Sequence, residues 1–265
     1  MNIFFHELKA YRKSTIIWTF SLIMVALLFL SMFPSFAKDA GEFKKLLAGY
    51  PLAMRKAIGL NLENIFTILG FYSYALTFIT LCAAIQAMNL GTGIVSKEVR
   101  EKTADFLLTK PVTRTQILTS KLLAALTSLF ITNLVYLLAV NFIALQVKTV
   151  DYSVKKFVML SLTMLFTQLI FLAIGIIISV IVPKIKSVLT VSLATVFAFY
   201  FLGVISETSG DDSKRYISPF KYFDNTYIIK HASFEGSFLF AGAVIVVAAI
   251  AASYIIYMKK DIHAV

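Results

Sequence analysis

The charged residues of this chain fall in clusters, separated by six stretches that contain no Asp, Glu, Lys or Arg: 14–37, 64–96, 122–147, 157–183, 187–206 and 236–258. An α-helix rises 1.5 Å per residue, so about 20 residues cross a hydrocarbon core about 30 Å thick, and each stretch is long enough to do so once. Apolar residues occupy every face of these stretches. A transmembrane β-barrel would instead need strands of about ten residues with strict alternation. Without water to satisfy the backbone, helices are what remain. The pattern predicts an all-α integral membrane protein with six spans in one transmembrane domain covering 1–265. The spans are expected at about 15–36, 70–95, 117–146, 157–182, 187–206 and 236–258. The stretch 64–96 exceeds the length of one span, so part of it should project from the bilayer.

Phe4, Leu8 and Tyr11 recur at helical spacing among Glu7, Lys9, Arg12 and Lys13, which predicts an interfacial helix over 1–13 before the chain turns into the membrane. The first apolar stretch follows basic residues as a secretion signal would, but it is longer than the roughly 7–15 apolar residues of such a signal and is expected to be retained. In 41–60, Phe43, Leu46, Leu47 and Tyr50 mix with Lys44, Lys45, Arg55 and Lys56 around Pro51, as in a broken surface helix or an irregular loop. The segment 207–235 is the most polar part of the chain.

Composition sharpens this picture. Hydrophobic residues make up 59% and charged residues 15%, far from the soluble average. The net charge of +11 comes from basic residues spread through every loop among acids, which suits anionic lipid head groups better than nucleic acid. Six spans put both termini on one side. Taking that side as cytoplasmic gives the inner segments 13 of the 25 Lys and Arg, a near tie but on shorter segments. The single cysteine, Cys82, reads as a packing residue, and His6, His231 and His263 have no metal-ligand spacing.

The apolar stretches hold no ionisable acid or base that would mark a proton relay. Their polar residues include Gln86, Asn89, Asn133, Thr163, Thr167, Gln168 and Thr195. These suit hydrogen bonds between helices, and Gln86, Asn89, Asn133 and Thr195 are the candidates for a substrate path. Ala248 and Ala252 read as close-packing positions in the last span. A nucleophile with its base, or paired carboxylates, cannot be assembled, so the chain is not expected to be an enzyme. Gly91-Thr92-Gly93 lacks the context of a dinucleotide motif, and no P-loop is present.

The coupling segment, 97–115, is the most structured polar stretch. Glu98 precedes Lys102 by four residues, the favourable order for a helical ion pair, so the second span should continue as a charged stalk. Thr103 can cap a short helix with Asp105 near its positive end. Pro111 closes that helix, and Thr113 with Gln116 forms a capping box for the third span. Phe106, Leu107 and Leu108 then form an apolar tip ringed by charge, which suits either a docking surface or a loop whose Phe106 rests against lipid.

Glu98, Glu101, Thr103, Leu107, Leu108, Pro111, Val112, Thr113, Arg114 and Lys121 resemble the signature of type-2 ABC transporter permeases. That signature is a glutamate-rich stalk, a threonine, a leucine pair, Pro-Val-Ser/Thr-Arg and a lysine in the next helix. Lys102 stands where the family commonly has glycine. The resemblance implies that 103–109 is a coupling helix on a separate ABC ATPase subunit, with Glu98, Arg100, Glu101, Thr103, Asp105, Phe106, Leu107, Pro111 and Arg114 at the contact. Lys184 and Lys186 would make a second contact. It implies two permease copies, or this chain with a related one, surrounded by lipid in a prokaryotic plasma membrane with both termini cytoplasmic. ATP and Mg would be bound by the partner, with no cofactor on this chain. Export of an amphipathic peptide, antibiotic or lipid is expected. The rival is a channel or carrier that needs no ATPase.

Overall fold

A computed structural model describes residues 3–51, 54–55, 59–101, 112–182, 184–208 and 212–259. The chain forms α1 (Ile3–Lys38), α2 (Ala40–Ala48), α3 (Ile68–Arg100), α4 (Arg114–Val147), α5 (Val154–Ile181) and α6 (Val188–Thr208). Two short 3-10 turns, Asp212–Ile217 and Pro219–Lys221, precede α7 (Asn225–His231) and α8 (Gly236–Lys259). Six of these helices are long and apolar enough to cross a membrane: α1, α3, α4, α5, α6 and α8. They alternate in direction, so the start of α1 and the end of α8 lie at one end of the bundle, called here the terminal end. The helix α2, the 3-10 turns and α7 lie at the opposite end.

The first span differs from expectation. The described part of 1–13 is not a separate interfacial helix but the beginning of α1, which runs 36 residues, or about 54 Å, without a break. No Gly or Pro occurs before Pro34 to interrupt it. Glu7 is buried in the bundle, which ties these first turns down. At the far end of α1 the segment 41–60 does carry a surface helix, α2, none of whose residues is buried. The α3 helix is 33 residues long and runs on past the charge-free stretch through Lys97 and Glu98 to Arg100. Thr113 caps α4 as its sequence predicts. Its hydroxyl accepts the Gln116 N–H at 3.2 Å, and Gln116 Oε1 accepts the Thr113 N–H at 3.0 Å.

The centre of the bundle is the contact between α3 and α5, made close by glycine on both sides. A Cβ on Gly91 would meet the Leu172 carbonyl oxygen at 2.5 Å, and one on Gly175 would meet the Met88 carbonyl oxygen at 2.8 Å. Small residues of this kind let helix backbones approach in a membrane, where packing replaces the hydrophobic driving force. The Gly91-Thr92-Gly93 run therefore serves helix packing. Towards the opposite end, Tyr72 stacks on Phe157 with ring centres 4.3 Å apart, and its hydroxyl shares hydrogen bonds with Tyr136 and Ser161. The α8 helix packs on the bundle through Phe238, Gly242, Ser253 and Tyr257, while Ala248 is exposed and Ala252 half-buried. Small size alone did not mark which side of α8 faces inward. Both α6 and α8 leave large apolar side chains outside, among them Phe197, Phe201, Phe240 and Val247. In water such a surface would aggregate; in a bilayer it faces lipid or another membrane helix.

Candidate functional site

At the terminal end, four charged side chains from three helices converge. Lys121 lies two turns into α4 and is 1% exposed. Its ammonium donates to the Ile94 carbonyl and to Glu98 Oε1, the latter at 2.5 Å, and Glu7 Oε1 lies 3.5 Å away. Lys97 Nζ approaches the other Glu7 oxygen at 3.7 Å. Two carboxylates and two ammoniums thus neutralise one another where water is scarce, the condition under which buried charges persist. Sequence reasoning had Glu98 on the stalk and Lys121 in the signature, but not their pairing. It set Glu7 among the charged residues of an interfacial helix, whereas Glu7 is 3% exposed. A carboxylate within an apolar helical spacing was the available signal.

Around this cluster the ends of α4 and α8 are joined. Arg114 Nη1 donates to the Met258 carbonyl at 3.2 Å, Thr115 Oγ1 to the Met258 sulfur at 3.7 Å, and the Thr119 and Tyr254 hydroxyls are 2.7 Å apart. The segment 102–111 springs from these anchored helices. Of the residues expected at the contact, Glu98 is in the cluster, Arg114 binds α8, and Arg100 and Glu101 are exposed. Thr103, Asp105, Phe106, Leu107 and Pro111 lie outside the described residues, as does Lys102. At the same end, Lys184 and Lys186 are exposed on either side of Ile185, which is 4% exposed and anchors the connection between α5 and α6.

In mid-membrane a second polar set ties α1, α3, α4 and α5 together. The Thr19 and Thr132 hydroxyls are 3.0 Å apart, and Gln86 Nε2 donates to Thr132 Oγ1 at 3.2 Å. Gln168 Nε2 donates to Gln86 Oε1 at 3.0 Å, while Gln168 Oε1 accepts from Asn133 Nδ2 at 2.5 Å. Gln86 and Asn133 are thereby engaged in joining helices. Asn89 and Thr195 are half-buried on α3 and α6.

From the opposite end a cavity of about 730 Å³ enters the bundle between α3, α5, α6 and the connections around α7. It reaches Thr163 and Thr167, the latter at the midpoint of the 28-residue α5. That is about 20 Å below the start of the helix. The described lining does not include Gln86, Asn89, Asn133 or Thr195; its hydroxyls include Thr77, Thr80, Thr163 and Thr167 instead. Sequence gave no means of telling which hydroxyls share a face with the loops that form the mouth. Near that mouth Lys221 pairs with Glu207, and Arg215 pairs with Glu235 while lying 4.1 Å above the Phe238 ring.

A helical bundle with a polar cavity reaching halfway through it, and a neutralised ionic junction at its terminal end, suits a membrane-embedded transport subunit. Comparison with protein families identifies which kind: the ABC-2 family transporter protein model matches residues 1–262, and the chain belongs to that family. It is thus a multi-pass membrane protein and a permease subunit of an ABC transporter system. A search of curated proteins finds no match to the sequence.

Proposed function

We propose that this chain is the permease of an ATP-driven exporter, paired with a second copy or a related permease and with a separate ATPase subunit. The termini and the segment 97–115 then face the cytoplasm of a prokaryotic cell, in its plasma membrane, and the cavity opens outward. ATP and Mg bind to the partner subunit, and this chain itself catalyses no reaction. The segment 103–109 docks on the ATPase with Phe106 and Leu107 as its apolar contact, flanked by Arg100, Glu101 and Asp105, while Lys184 and Lys186 make a second contact. A nucleotide-driven shift between inward- and outward-facing states requires differential contacts in the two states.

The observation that most supports this reading is the Glu7–Lys121–Glu98–Lys97 junction. Movement imposed on 102–111 must pass through the stalk and α4, and the junction fastens both to α1, so the three helices move together. A flexible connection would absorb the displacement instead. The exported molecule is amphipathic, a peptide, antibiotic or lipid, in keeping with a cavity that offers hydroxyls and apolar walls together.

The test is extraction in mild detergent followed by mass spectrometry, where an ABC ATPase subunit should co-purify in stoichiometric amount. Phe106→Asp should preserve the permease in the membrane but abolish that association or uncouple ATPase activity from substrate. Co-purification and coupling that are unchanged by the substitution would overturn the assignment of 103–109. A channel or carrier independent of ATPase predicts transport without any such partner.

A further inference from the structure

Four basic side chains line the cavity, and one of them has no carboxylate partner among the described residues. Its lining includes Arg55, Arg215, Lys221 and Lys230. Lys221 is paired with Glu207, Lys230 Nζ lies 3.8 Å from Glu63, and Arg215 Nη1 donates to Glu235 at 3.1 Å. The remaining lining carboxylate, Asp224, is committed as the cap of α7, where Oδ1 accepts the N–H groups of Thr226 at 2.7 Å and Tyr227 at 3.3 Å. Among the described residues no carboxylate pairs with Arg55, and its Nε is buried without a hydrogen-bond partner. A buried charged donor without an acceptor is unfavourable, so a ligand that brings an acceptor to Arg55 gains affinity.

The rest of the wall sets the remainder of the ligand. Leu76, Val204 and Phe220 line the cavity together with the Thr163 and Thr167 hydroxyls. Each of these hydroxyls already donates to a helix carbonyl, Thr163 to Leu160 at 2.7 Å and Thr167 to Thr163 at 2.9 Å. They therefore add no strong donor to compete with Arg55 for an anion. The volume lies within the usual range of about 300–1,000 Å³ for small-molecule sites.

We propose that this cavity binds an amphiphile with an anionic head, a phosphate or carboxylate held by the Arg55 guanidinium, and an apolar tail along Leu76, Val204 and Phe220. The head sits at the mouth beside Arg55, and the tail descends towards Thr167. That such a molecule is the cargo rests on the permease reading; that the cavity binds it does not. The anion can belong to a membrane lipid entering the cavity or to a solute delivered to it, and the shared chemistry is the same.

The test uses the full chain, without any ATPase, in phosphatidylcholine nanodiscs titrated with radiolabelled dodecyl phosphate against empty nanodiscs. Saturable binding of about one molecule per chain is expected. Arg55→Gln should weaken it about tenfold or more, and Arg55→Lys should restore much of the loss, in line with a charge-assisted contact. Val204→Trp should block binding by filling the cavity, which keeps the test decisive if Arg55→Gln folds poorly. Dodecyltrimethylammonium should not compete. Equal binding by wild type and a folded Arg55→Gln, or equal competition by the cationic analogue, would overturn the proposal. Competition by phosphatidylglycerol placed in the nanodisc identifies a lipid source, whereas competition by octyl phosphate alone identifies a solute. Because no ATPase is present, loss of this binding leaves the co-purification result untouched, and the reverse holds as well.

Discussion

Replacing Lys121 by Met tests the ionic junction directly. The ammonium is 1% exposed and serves the Ile94 carbonyl, Glu98 at 2.5 Å and Glu7 at 3.5 Å. Methionine nearly preserves the volume but removes every one of these donors. Glu7 keeps Lys97 at 3.7 Å, so Glu98, with a side chain only 15% exposed, is the carboxylate left without a cation. Removing one partner of a buried pair typically destabilises by about 3–5 kcal/mol, and partial access of water to Glu98 favours the lower figure of about 3 kcal/mol. Glu7→Gln should be milder, about 1–2 kcal/mol, since the amide still accepts from Lys121 or Lys97 and Glu98 remains. A double variant, Glu98→Gln with Lys121→Met, should recover most of the loss because Glu7 and Lys97 then remain as a pair and no buried charge lacks a partner. Reversible unfolding in mixed micelles titrated with sodium dodecyl sulfate measures each difference. Stability of Lys121→Met within about 0.5 kcal/mol of wild type, or a double variant weaker than the single one, would refute the reasoning.

Two further substitutions test the packing and the cap, in addition to the Phe106 and Arg55 variants. Gly175→Ala places a Cβ 2.8 Å from the Met88 carbonyl oxygen and 2.9 Å from the Thr92 nitrogen, so α3 and α5 must separate. A loss of about 1–3 kcal/mol in the same unfolding assay is expected, while Gly236→Ala, with nothing within 4 Å, should change little. Thr113→Ala removes half of the capping box on α4. It should lower stability by about 1 kcal/mol and speed hydrogen exchange of the Gln116 amide, and an unchanged exchange rate there would show that the cap is not what orders the first turn.

What could be read from the chain was whatever depends on near neighbours. The helices α3, α4, α5, α6 and α8 lie close to the charge-free stretches, because one helix must supply all its own backbone hydrogen bonds in lipid and charges mark where it leaves. The Thr113 cap was equally local, set by residues within a turn of one another. The error over 1–13 had a local cause too. Amphipathic spacing cannot say whether the apolar face meets lipid head groups or, as for Glu7 and the turns around it, other helices of the bundle.

The candidate sites divide in the same way. The signature over 98–121, which carries the resemblance to type-2 ABC transporter permeases, lies in one short stretch and was legible in the sequence. Tertiary structure decided which charges meet: Glu7, Glu98 and Lys121 come from three helices, and nothing in their spacing orders them. It also decided that Gln86 and Asn133 join helices while Thr163 and Thr167 line a cavity, although all four are uncharged polar residues in apolar runs. The physical reason is that hydropathy fixes how deep a residue sits but leaves its direction around the helix axis free. That direction is set by where Gly91 and Gly175 allow α3 and α5 to touch, and so by contacts between residues more than 80 positions apart.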